Sequence, residues 1–166
     1  LLFATGPFIW GTYKTVETQQ WTADYRTGKG ETKQVTLPDG TIVKLNTASA
    51  FDTFFDKNTR LLSLREGEIE IHTEATTYNE LTPFTVKTQD AILSPLEANF
   101  TVRQYSILTR IGVIKGNVPA TPRLTKNNQY LIPTGQQADL SNYALLSQHP
   151  LAATTTSWLD NMLAVD

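Results

Sequence analysis

Lys33-Gln34-Val35-Thr36-Leu37-Pro38-Asp39-Gly40-Thr41-Ile42-Val43-Lys44-Leu45 reads as a β-hairpin, and it decides the fold. Val35 and Leu37 share one face of the first arm, and Val43 and Leu45 share one face of the second. A period of two is the signature of a strand buried on one side. Pro38 presets φ for the turn, Asp39 can bond the turn's own amides, and Gly40 accepts positive φ.

Working outward, short β-branched and apolar runs of the same kind fall at 50–55, 60–64, 67–73, 84–88, 92–96, 99–105 and 109–115. Turn chemistry at Asp56-Lys57-Asn58, Glu66-Gly67, Gln89-Asp90 and Lys115-Gly116 separates them. Helical 3.6 periodicity over twelve residues is almost missing, so the class is all-β. Sandwich, barrel and solenoid all fit this spacing. Beyond Asn117, the residues Pro119, Pro122, Asn127-Asn128, Pro133 and Gly135 predict a looser return path, with strands near 129–132 and 136–140. Trp158, Leu159, Met162, Leu163 and Val165 have the spacing of a short helical turn, or of the first strand of a further unit.

The 166 residues suffice for one principal domain with its own core. With 40% hydrophobic and 18% charged residues, the chain has the composition of a folded protein. A formal charge of −2 removes the attraction on which nucleic-acid binding rests, so no nucleic-acid partner is expected. Without cysteine there is no disulfide, thiolate metal site or cysteine nucleophile.

Residues 1–13 contain no charged side chain and include Leu1, Leu2, Phe3, Phe8, Ile9 and Trp10 before Lys14. They read as the end of a membrane-spanning segment, with Trp10, Tyr13 and Trp21 as an interfacial aromatic belt. A buried element of the domain is the competing reading, and Gly6-Pro7 argue against an uninterrupted soluble helix.

Residues that could carry chemistry are few. Period-two geometry puts Glu66, Glu68, Glu70 and His72 on one face of a strand, opposite Ile69 and Ile71. Alternate residues on one strand are nearly 7 Å apart, which spaces them poorly for sharing one cation. A solvated polar face explains the row without a metal. His149 precedes Pro150 in a polar stretch and reads as a surface-loop histidine, and Asp39 reads as a turn residue rather than a catalytic acid. Phosphate-binding glycine loops, nucleophile elbows and zinc-protease motifs do not occur. No catalytic, cofactor-binding or metal residue is therefore assigned, no cofactor is expected, and the protein is expected not to be an enzyme. Phe51, Phe54 and Phe55 could form a stacking platform for a ligand, but on a strand Phe51 and Phe55 share a face that reads as core.

From Trp21 onward a set of short motifs follows in order, beginning with Ala23-Asp24-Tyr25-Arg26-Thr27-Gly28-Lys29-Gly30-Glu31, Val35-Thr36-Leu37-Pro38-Asp39-Gly40-Thr41, and Leu45-Asn46-Thr47-Ala48-Ser49-Ala50. It continues through Leu62-x-Leu64-x-x-Gly67-Glu68, Pro83-Phe84-Thr85-Val86-Lys87-Thr88, Phe100-Thr101-Val102-Arg103, Gly116-Asn117-Val118, Gly135-Gln136-Gln137 and Trp158-Leu159-Asp160-Asn161-Met162-Leu163. In these motifs and their order the chain resembles the FecR family of inner-membrane regulators. One departure stands out: Leu96-Glu97-Ala98 occupies the place of the family's Leu-Gly-Thr, so a turn that needs positive φ there must differ.

The resemblance implies a curved or solenoid-like β-domain at 22–140. Residues 1–21 would be the end of a membrane segment and its linker, and 141–166 an extension towards a C-terminal domain similar to the secretin and TonB N-terminal fold. It also implies a single-pass protein with this part on the periplasmic face of the bacterial inner membrane. Such a regulator relays the occupancy of a TonB-dependent siderophore transporter to an extracytoplasmic-function sigma factor. The implied partners are the transporter's signalling domain and the sigma factor, each met through parts outside this chain. A carbohydrate- or small-ligand-binding β-domain at a bacterial surface is the alternative.

Overall fold

The structure, a computed structural model, describes residues 23–73 and 82–165. The first strands are β1 (Tyr25–Arg26), β2 (Lys33–Thr36), β3 (Ile42–Leu45), β4 (Ala50–Phe55), β5 (Arg60–Thr73), β6 (Phe84–Lys87) and β7 (Ala91–Leu93). After them come β8 (Ala98–Gln104), β9 (Thr109–Gly116), β10 (Val118–Pro122), β11 (Tyr130–Ile132), β12 (Gln136–Leu140) and β13 (Leu145–Pro150), then helix α1 (Ala153–Val165). The all-β expectation holds. Residues 1–22 and 74–81 lie outside the described residues, and with them the expected membrane segment. Among the described residues no helix is long and apolar enough to cross a membrane.

Strand β5 organises everything else because it belongs to two sheets. Its first half pairs with β4 and, in parallel, with β6; its second half pairs antiparallel with β3 and β8. Sheet I therefore runs β1-β4-β5-β6-β7-β10-β11 and sheet II runs β2-β3-β5-β8-β9-β12-β13. Beyond β5 the chain lays hairpins in the two sheets by turns: β6–β7 in sheet I, β8–β9 in sheet II, β10–β11 in sheet I, β12–β13 in sheet II. This alternation winds the strands into one curved, nearly closed, barrel-like sheet. The space between is filled by Phe51, Leu62, Val86 and Leu93 from sheet I and by Val43, Ile69, Phe100 and Ile111 from sheet II, all fully buried. Each such side chain contributes about 1.5–3 kcal/mol of transfer free energy.

The sequence predicts a turn at Glu66-Gly67 between two strands, but the chain runs through it. Gly67 has φ +83° and bends a single strand. Core residues are even-numbered before the bend (Leu62, Leu64) and odd-numbered after it (Ile69, Ile71), so one extra residue is absorbed there. Glu66 is thereby separated from the row Glu68, Glu70, His72.

The return path after Asn117 is also more regular than its prolines predict. β10 is an interior strand between β7 and β11. Ser94 N–H donates to the Pro119 carbonyl and Arg123 N–H to the Asp90 carbonyl, both at 2.9 Å, so odd-numbered residues of β10 face β7 and even-numbered ones face β11. The missing N–H of Pro119 then falls past the end of β7, and that of Pro122 past the end of β11. Both prolines sit where the adjoining ladder has stopped.

At the departure Leu96-Glu97-Ala98 the tight spot is relieved from the opposite strand. Among the described residues Ala48 is the one non-glycine with positive φ, so Glu97 is not strained. Gly116 takes φ +87° instead, with its backbone against the Glu97 carbonyl.

Candidate partner-binding surfaces

Three motif segments that are far apart in sequence meet at the bend of β5. Thr27 Oγ1 donates to the Asn46 carbonyl at 2.6 Å, and Gly30 N–H donates to Thr47 Oγ1 at 2.6 Å. Asn46 N–H donates to the Glu68 carbonyl at 2.9 Å. Ser49 Oγ accepts from Glu68 N–H at 2.9 Å and lies 3.0 Å from the Glu68 carbonyl, to which it can donate. Ser49 N–H donates to Thr27 Oγ1 at 3.0 Å. Thr27 and Ser49 are buried and their polar atoms are bonded, which describes a joint between the two sheets rather than a reactive centre.

The outer face of sheet II carries the charged groups. Register places Glu68, Arg103, Arg110 and Asp139 side by side across four strands. Arg110 clasps Asp139 through Nε (2.8 Å) and Nη2 (3.1 Å), and this bond holds its pKa above the ordinary guanidinium value. Tyr105 lies under both guanidinium groups, 4.7 Å from Arg103 and 5.2 Å from Arg110. In the next row, Lys44 Nζ is 3.9 Å from Glu70 Oε2, which accepts no hydrogen bond from any described residue. Burial pushes the carboxyl groups of both Glu68 and Glu70 above 4.5. The Asn46 side chain, Arg103 and Arg110 oppose this at Glu68, as Lys44 and His72 do at Glu70. Helix α1 lies on this face: Thr155 Oγ1 donates to Gln137 Oε1, and Leu151 and Thr155 abut Gly112.

Sheet edges offer backbone groups to a partner strand. Leu151 N–H donates to the Gly135 carbonyl at 2.8 Å, so the alternation turns Gln148 and Pro150 towards the free side of β13. Pro150 has no N–H there, its carbonyl lies 2.9 Å from His149 Nδ1, and a bulge at Asp139/Leu140 disturbs the other end. This edge is guarded. At β2, Leu37 N–H donates to the Thr41 carbonyl at 2.8 Å, which turns the peptide groups of Gln34 and Thr36 outward. Among the described residues nothing pairs with them, so β2 is the more open edge.

The residues weighed from sequence scatter. His72 is half-buried on the outer face of sheet II beside Glu70, and among the described residues no His, Asp and Glu group could hold a metal ion. His149 lies on edge strand β13, not in a loop: a strand exposed on both faces has no apolar alternation to reveal it. Asp39 bonds its own turn through Thr41 N–H (3.0 Å), but also receives Arg60 Nη1 (3.0 Å), a cross-link that no local pattern announces. Phe51 is buried and stacked on Tyr25, and Phe55 meets Phe84 edge-on. Phe54 is 59% exposed on the opposite face, so the three rings form no shared platform. Neither the outward peptide groups of β2 nor the joint at Gly67 could have been found from a local pattern: alternation in 33–36 gives the face of each side chain, not the side to which its peptide group points.

A family model described as FecR protein matches residues 23–119, more than half of the chain. Two crystal structures of a candidate anti-sigma factor from Parabacteroides distasonis ATCC 8503 are similar, each with a TM-score of 0.67, at 29% and 30% sequence identity. The similarity covers 81% of this chain and 63% of theirs, so the chain spans less than two thirds of their length. No curated protein matches the sequence.

Proposed function

Because the chain belongs to the FecR protein family, we propose that it is the β-scaffold of a transmembrane signalling regulator and not an enzyme. In this reading residues 22–140 form the periplasmic domain, 1–21 end a single inner-membrane span, and 141–166 add an edge strand and helix that lead on to a C-terminal receptor-contacting domain. The signal relayed is the occupancy of a TonB-dependent siderophore transporter, and the receiver is an extracytoplasmic-function sigma factor. One observation carries the reading: Thr27, Asn46, Ser49 and Glu68, all from motif segments, are bonded into the joint between the sheets. Residues so used make a stiff body that can hold an attached domain at a fixed distance and angle.

Calorimetric titration of this chain with the transporter's signalling domain tests the proposal. A scaffold gives binding far weaker than that of the full regulator. Equal affinity without the C-terminal domain would move the interface onto this one and overturn the spacer role.

A further inference from the structure

A second surface, on the outward face of β6 and β7, is independent of that reading. Lys87 on β6 and Ile92 on β7 are register partners and face outward from sheet I. The loop after β10 rises beside them and leaves an open groove of about 1120 Å³. That loop is pinned in place: Arg123 N–H donates to the Asp90 carbonyl (2.9 Å), Leu124 N–H to the Asn142 carbonyl (2.8 Å), and Thr125 Oγ1 to the Tyr143 carbonyl (2.5 Å). The groove is preformed, which spares a ligand the cost of ordering it.

Its charge is one-sided. Lys87, Arg123 and Lys126 line it, and among the described residues no acidic side chain does, in a chain whose formal charge is −2. The nearest carboxylate in sequence, Asp90, is buried and accepts from Thr109 Oγ1 (2.9 Å) and Gln104 Nε2 (2.8 Å). Asp52, in the same outward row two strands away, is taken by Arg65. A concave surface of one sign concentrates ligands of the other.

We propose that this groove binds an extended, acidic peptide segment of a partner protein. Gln89, Asn127, Asn128 and Asn142 border it with carboxamides, which donate and accept as a peptide group does. Ile92 and the 58% exposed Leu124 give apolar footing between the charges. A lone inorganic anion fits less well: the space is at or above the upper end of the ~300–1,000 Å³ of small-molecule sites. Arg123 also already turns Nη1 towards the Thr88 and Gln89 carbonyls, at 3.4 and 3.5 Å.

The experiment titrates the 166-residue chain with a capped peptide of alternating glutamate and glycine. Its lysine counterpart, inorganic phosphate and a sulfated oligosaccharide serve as competitors. The expected result is saturable binding of the glutamate peptide, weakened several-fold between about 20 and about 150 mM salt as screening sets in. Lys126→Glu, at an exposed position, should weaken it about tenfold, equivalent to ~1.4 kcal/mol, with an unchanged circular-dichroism melt; Lys87→Glu/Lys126→Glu should abolish it. Lack of saturation at low salt, indifference to Lys126→Glu, or displacement by phosphate or by the sulfated sugar at equal concentration would each overturn the proposal. None of these outcomes touches the regulator reading, which rests on other residues.

Discussion

Gly67 passes so close to Ser49 that a Cβ on Gly67 would lie 2.2 Å from Ser49 Oγ and 2.5 Å from its Cα. The contact is backbone against backbone, so neither side can give way by turning a rotamer. With φ at +83° as well, Gly67→Ala meets both a clash and a left-handed backbone. Urea denaturation should show a loss of about 3 kcal/mol or more. Gly40→Ala is the control: φ is +91° but nothing lies within 4 Å of the added carbon, so only about 1–2 kcal/mol of backbone strain is expected. Equal losses in the two variants would show that the joint is not tight.

Asp39 and Arg60 tie the β2–β3 turn to β5 through a bond of 3.0 Å in which the Asp39 side chain is fully buried. Asp39→Ala removes the carboxylate that Arg60 Nη1 meets, while Nε keeps the Thr82 carbonyl at 2.7 Å, and it also removes the acceptor for Thr41 Oγ1. A destabilisation of about 3 kcal/mol follows. A double-mutant cycle with Arg60→Met should return a coupling of the same sign; additivity would refute the cross-link.

Glu70 should make stability fall as pH rises. Its folded-state pKa is raised by burial, so the native state holds this proton more tightly than the unfolded chain does. The resulting stabilisation is complete below the unfolded value near 4.5 and is lost as pH climbs through the raised folded value. Glu70→Gln removes the ionisation. The variant should gain on the wild type as pH rises above 4.5 and show no such trend below it; parallel stability–pH curves would contradict this.

Helix α1 is held by the Thr155 bond to Gln137 and by the flat seat at Gly112. A Cβ at Gly112 would lie 2.8 Å from Leu151 Cδ1 and 3.1 Å from Thr155 Cγ2. Thr155→Val should lower the local opening free energy of α1 by about 1 kcal/mol. Hydrogen exchange reads this as faster amide exchange in 153–162 with protection in β5 and β8 unchanged. Loss of protection in the core strands would mean that α1 is part of the core.

Much of the strand inventory was legible because it is written in local polarity. The β2–β3 hairpin, β4, β8 and β9 each bury one face, and a period of two survives in Val35/Val43, Phe100/Val102 and Ile111/Val113. Ile69 and Ile71 likewise announced which face of β5 is core. The prolines misled at 118–122 because local reading treats proline as a break, whereas β10 tolerates Pro119 and Pro122 where its neighbours end. His149 and β13 went unseen because both faces of that strand meet solvent. The basic groove combines Lys87 with a loop some forty residues later, so no window of sequence contains it.

The sequence by itself determined the class of the protein, its family and the inward face of most strands, since alternation, turn residues and motif order are properties of near neighbours. Only the tertiary structure decided that Gly67 bends one strand instead of ending it. Glycine with positive φ serves a turn and a bulge equally well, and the choice rests on Ser49, eighteen residues away, whose hydroxyl occupies the hydrogen bonds of Glu68 and leaves no room for a side chain at the bend.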